Sequence, residues 1–185
     1  MRDGFVVHAA EGALGGALGT LLIKQTKALG RRIPEPWKPA SPSRDPADLV
    51  VTRVERARGR PFSIRTHDRF AGGLKWAYGI TWGGLLGAAM TGLHVRSPRQ
   101  TVLTGAAMGA LVWAVGYAGW LPRTGLMSPI TRQGTRRVLT SLATHVAFGV
   151  AASVPILMIE SVRRARRPWW ERAREDARES ISAWW

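Results

Sequence analysis

Apolar residues in this chain come in long blocks divided by charged segments. Four windows, 4–23, 70–95, 101–122 and 139–160, each reach the roughly 20 residues needed to carry a helix across ~30 Å of hydrocarbon. The third window holds no charge, the second only Lys75, and the fourth only Glu160 at its end. A helix that is apolar all round must be buried in protein or in lipid. A chain of 185 residues has too little other protein to cover four such helices, which argues against a soluble helical protein. The pattern predicts an all-α fold, a bundle of four transmembrane helices occupying residues 1–162, followed by a tail, 163–185.

The polar stretches predict how the spans connect. Residues 24–69 open on Pro34, Pro36, Pro39 and Pro42 with Trp37 among them, an extended and partly polyproline start. Asp45-Pro46 then reads as an N-cap with proline at the first helical position. The short helix it opens runs through Leu49, Val50, Val54 and Ala57 to a stop at Gly59, lying on the membrane surface or packed on the bundle. The second connection is a tight turn around Ser97-Pro98, and the third, 123–138, carries Pro129 with Arg132, Arg136 and Arg137. Beyond Glu160 come Arg163 and Arg164, then Trp169 and Trp170, and finally Trp184 and Trp185, a basic, tryptophan-rich helix that anchors in the interface. The amino end is read as a span and not as a signal peptide, because Glu11 interrupts the core such a peptide would need.

Two segments repeat. Gly12-Ala13-Leu14-Gly15-Gly16-Ala17-Leu18 matches Gly105-Ala106-Ala107-Met108-Gly109-Ala110-Leu111 at five of seven places. Lys75-Trp76-Ala77-Tyr78-Gly79-Ile80 aligns with His145-Val146-Ala147-Phe148-Gly149-Val150. A duplicated two-helix hairpin would give parallel repeats about an axis along the membrane normal, whereas chance recurrence of glycine and alanine is the plainer alternative. Gly12/Gly16, Gly79/Gly83 and Gly105/Gly109 have the four-residue spacing that lets membrane helices approach closely, inside the bundle or at a dimer interface.

Charge and composition then narrow the partners. Lys and Arg number 27 against 12 Asp and Glu, a net charge of +15. These charges flank apolar blocks and the aromatics are not interleaved with them, so anionic lipid headgroups are the expected partner and nucleic acid is not. An even number of spans puts both termini on one side. That side gathers ten basic residues and the opposite side sixteen, which favours termini outside, while the arginine cluster after the fourth span argues the reverse. The absence of cysteine removes disulfides and thiolate metal sites, and no metal site is expected.

Ionisable residues inside a bilayer cost about 2.5–3.5 kcal/mol each on insertion scales, so Glu11, Lys75 and His145 form the candidate intramembrane site. Lys75 and His145 should share a depth, with Glu11 nearer the other surface beside His8 and Glu160. They would be stations of a proton or ion path, or else a snorkelling lysine, a hydrogen-bonded glutamic acid and a packed histidine. A pigment or haem on His145 is a further alternative, although bis-histidine ligation is disfavoured because His8 enters from the opposite surface. No catalytic motif is present, and no carboxylate lies between Asp68 and Glu160, which argues against an enzyme.

The glycine-rich first helix, the proline-rich loop with its short helix, Lys75-Trp76-Ala77-Tyr78-Gly79 followed by Trp82-Gly83, and His145-Val146-Ala147-Phe148-Gly149 together resemble a family of small, uncharacterised bacterial inner-membrane proteins. The resemblance covers most of the chain and implies residence in the cell's inner membrane, with no catalytic residues to carry over. Lys75 stands where that pattern has histidine. The expected role is an accessory or structural subunit with protein partners in the membrane, or a homo-oligomer; the alternative is a small transporter or channel.

Overall fold

Local chemistry at the helix ends sets the element boundaries. In a computed structural model that describes residues 2–30, 45–95 and 97–166, all regular structure is helical. The elements are α1 Arg2–Gly30, α2 Pro46–Ala57, α3 Ile64–Gly92, α4 Pro98–Trp113, α5 Leu121–Arg123 and α6 Thr135–Arg166. The Asp45 side chain caps α2 by accepting from the Ala47 amide, with Pro46 in the first turn. Ser63 caps α3, and Ser97 forms a reciprocal capping box with Gln100 at the start of α4. Between α4 and α5 the backbone widens into a π-helical turn, Ala114–Trp120. Pro122 follows it after Leu121; its nitrogen has no hydrogen to give to the carbonyl four residues back, and the wider turn accommodates that loss.

Three helical segments are long and apolar enough to cross a membrane: Gly4–Gln25, Pro98–Arg123 and Thr135–Arg163. They contain three of the four expected spans. The second expected span, 70–95, falls largely in α3, which at 29 residues matches α1 in length but is not among these three segments. Lys75, Trp76, Tyr78, Trp82 and seven glycines dilute its aliphatic content. The short helix expected over 45–59 is α2. The tail expected from 163 onward begins inside α6, which continues unbroken to Arg166. Trp37 and its prolines, and Trp169, Trp170, Trp184 and Trp185, lie outside the described residues.

Glycine decides which helices touch. α3 runs antiparallel to α1: a Cβ on Gly16 would strike the Gly79 carbonyl oxygen, and one on Gly12 would strike the Gly83 carbonyl and lie 2.7 Å from the Gly87 nitrogen. α4 meets α6 in the same antiparallel way, Gly105 against the Gly149 carbonyl and Gly109 against that of His145. α1 also faces α6, with Gly15 at the Ala152 carbonyl and Gly19 at the Phe148 ring. Thus α1 lies between α3 and α6, and α6 between α1 and α4. At the places where the repeat would put Gly15 and Gly19 on α4, the residues are Met108 and Val112, and α4 stays further from α3.

Many large apolar side chains lie on the surface, while several small or polar residues are buried beside the core. Glycine, Thr101, Ser141, Ser153 and Glu11 are buried, whereas Val6, Leu14, Leu103, Leu139 and Met158 are among the large apolar residues most exposed. Within the 18-residue apolar stretch of each segment only 28%, 28% and 33% of residues are buried, so most of this greasy surface has no protein partner among the described residues. The innermost apolar cluster is small: Leu86, Met90, Ala152 and Ile156, with Val95 and Met108 against it.

Candidate functional site

The three ionisable residues expected to form one site are drawn into three separate sets of partners. Glu11, on α1, is 5% exposed. One of its carboxylate oxygens receives the Arg163 guanidinium at 2.5 Å and the other lies 2.9 Å from His8 Nδ1. A carboxylate can only accept, so in the neutral ring His8 carries its proton on Nδ1 and keeps the lone pair on Nε2. Arg163, expected as an interfacial anchor, is half exposed and sets its guanidinium on α1. The side chain of Arg164, expected to anchor beside it, lies outside the described residues. The His8–Glu11 contact follows from their three-residue spacing on one helix face. The Arg163 contact spans 152 residues and has no local signal.

Lys75 is 39% exposed and lies 3.3 Å from an Asp45 oxygen and 3.6 Å from an Asp48 oxygen. It therefore ties α3 to the start of α2, where the helix's amino-terminal amides already favour those carboxylates. A second tie joins the same helices. Glu55 accepts from the Phe62 amide at 3.1 Å and lies 3.0 Å from His67 Nδ1. The hydrogen bond from His67, then that from Phe62, holds the Glu55 carboxyl below the ordinary carboxylate range. Arg53 completes the belt by donating to the Thr124 carbonyl at 3.0 Å, which brings the first and third connections to one end of the molecule.

His145, on α6, donates through Nδ1 to the Ser141 carbonyl at 2.8 Å, and its ring stands edge-on to Tyr117 in the π-helical turn. Tyr117 in turn stacks on Trp113, whose indole donates to the Ser141 hydroxyl at 3.2 Å. The bond to Ser141 leaves Nε2 as the ring's acceptor, the orientation in which an imidazole can ligate. Among the described residues, however, no three His, Cys, Asp or Glu side chains cluster to hold a metal ion.

At the end of the molecule that carries Glu11 and Arg163, a cavity of about 170 Å³ opens between α1, α3, α4 and α6. Its polar wall is His8, Thr91, His94, Thr101 and Glu160, and Met90, Val95 and Ile156 form the apolar part. Met90 and Ile156 also belong to the buried cluster, so the cavity is bounded on that side by the core. The sequence pointed to His8 and Glu160 beside Glu11. It gave no sign of His94, Thr91 or Thr101, which reach the cavity through the turn that joins α3 to α4.

No family model matches this chain, and no curated protein or solved structure matches it either.

Proposed function

We propose that this chain is an integral protein of the cell's inner membrane, crossing it four times, and that it serves as a non-enzymatic accessory or structural subunit of a larger membrane assembly. The observation that carries this reading is the closure of three ionisable residues of the apolar windows, Glu11, Lys75 and His145. Glu11 is buried between Arg163 and His8, Lys75 is committed to Asp45 and Asp48, and His145 to Ser141 and Tyr117. A transporter needs such groups open to a water-filled path. A scaffold needs them satisfied and its apolar exterior free for lipid and partner helices.

The fourth crossing is supported by the antiparallel contact of α3 along the glycine face of α1. A duplicated hairpin is supported by recurrence of one contact: Gly83 meets the Gly12 carbonyl and Gly16 nitrogen as Gly149 meets the Gly105 carbonyl and Gly109 nitrogen. This correspondence sets Gly79, not Lys75, against His145, one helical turn from the register of the sequence match.

The cavity beside His8 favours the second reading, a small transporter whose entrance it would be. Purification of the native chain in mild detergent, with mass spectrometry and visible absorbance of what accompanies it, separates the readings. A stoichiometric membrane-protein partner or a defined homo-oligomer is expected. A lone protomer that carries proton or solute flux in liposomes, lost in Glu11→Gln, would overturn the accessory role.

A further inference from the structure

The cavity between α1, α3, α4 and α6 has a wall that accepts hydrogen bonds far more than it donates them. Thr91 Oγ1 donates its hydrogen to the Gly87 carbonyl, and Thr101 Oγ1 gives its own to Ser97. Both oxygens thus present lone pairs. In its neutral ring His8 carries the proton on the nitrogen facing Glu11, which leaves Nε2 as an acceptor. Glu160 has no hydrogen bond or ion pair among the described residues, and neither does the side chain of His94, although both line the space. One carboxylate, two imidazoles and two committed hydroxyls give the cavity wall more acceptors than donors.

His94 adds a second, independent sign. It holds φ at +52°, the left-handed region that favours glycine. The hydrogen bonds His94 N–H to Thr91 O and Val95 N–H to Met90 O close α3 in a Schellman turn, whose left-handed position is usually glycine. Gly92 lies two residues earlier and is not used there. The chain holds a histidine in a strained backbone conformation where a glycine would close the helix more easily, and that histidine lines the cavity. Backbone strain of this kind gathers at functional sites.

We propose that this cavity binds a primary ammonium group carried on a short apolar stem. The ammonium supplies three donors and the positive charge to Glu160, His8 Nε2 and the threonine oxygens. The stem lies against Met90, Val95 and Ile156. A volume of about 170 Å³ accommodates a short alkylamine. An anion finds few donors here. An alkali ion prefers oxygen to imidazole nitrogen and leaves the apolar wall unused. The same chemistry comes from a free amine or from the ethanolamine headgroup of a lipid. The site shares His8 with the Glu11 contact of the accessory reading, but it is tested by amine binding, whereas that reading is tested by partners and by flux, so the two can fail separately.

The test takes the full chain, labelled with ¹⁵N-histidine, in nanodiscs of phosphatidylcholine, and titrates it with propylammonium. Saturable shifts in the imidazole signals of His8 and His94 are expected, with affinity at least tenfold weaker in Glu160→Gln. His94→Gly, which removes the strain and keeps the turn, should also weaken binding while the helical content stays unchanged. Tetramethylammonium, with no N–H to donate, should give no shift. In discs containing phosphatidylethanolamine, signals already shifted before any amine is added identify the headgroup as the source, and unshifted signals identify the free amine. The proposal is overturned by the absence of saturable shifts in both kinds of disc. Equal response to sodium or inorganic phosphate, or full affinity in both variants, overturns it as well.

Discussion

At the scale of single residues, burial and backbone conformation separate groups that look alike in the sequence. His8, His94 and His145 all lie in or beside apolar windows, yet one is fixed by a carboxylate, one closes a helix in the left-handed region, and one bonds to a carbonyl a turn away. Candidate residues were legible where the partner was local, as with His8 and Glu11. They were not where the partner came from a distant helix, as with Arg163, or where a turn redirected the chain, as at His94. His94→Gly should therefore raise stability by about 0.5–1 kcal/mol, because a left-handed backbone costs glycine nothing and a β-carbon something of that order. Thermal or denaturant unfolding of the purified protein in detergent checks this; a loss of stability would mean that the imidazole itself holds the turn.

At the scale of elements, the close packing of α1 on α3 and of α4 on α6 rests on backbone contact and not on interlocking side chains. Gly83→Ala places a methyl group onto the Gly12 carbonyl, and Gly149→Ala does the same to Gly105. Each should destabilise the protein by about 2 kcal/mol or more, since backbone cannot yield as a flexible side chain does. Gly84→Ala is the control: its methyl would come no nearer than 3.5 Å to the Ala9 carbonyl, so better helix propensity should leave stability unchanged or slightly raised. Unfolding midpoints of the three variants in one detergent make the comparison. The four-residue glycine spacing made this packing face legible in advance, but not which helix each glycine would meet.

The junction of α2 with α3 responds to pH instead. The Glu55 carboxyl is held below the ordinary carboxylate range, so its tie to His67 and Phe62 is complete above that range and is lost as pH falls through the lowered value. Protection of the α2 amides, corrected for the intrinsic exchange rate at each pH, should fall as pH drops through that lowered value in the native chain and be already low at neutral pH in Glu55→Gln. Equal protection in the two proteins at neutral pH would remove Glu55 from this role.

At the scale of the whole molecule, the ends sort cleanly. Glu11 and Arg163 join the amino-terminal part of α1 to the last turns of α6 at one end, while Arg53 and Thr124 join the first and third connections at the other. Helical class and three apolar segments were legible from hydropathy alone. The place of α3 as a fourth crossing was not, because Lys75, the glycines that serve its contact with α1 and the exposed aromatics Trp76 and Tyr78 interrupt its aliphatic content. The absence of cysteine from the sequence makes the crossing directly measurable. Single cysteines at Arg60, Arg99 and Gln133, probed with a membrane-impermeant maleimide in intact and lysed cells, report the side of each connection. Four crossings predict that Arg60→Cys and Gln133→Cys label from one side and Arg99→Cys from the other; labelling of Arg60→Cys and Arg99→Cys from the same side would contradict them.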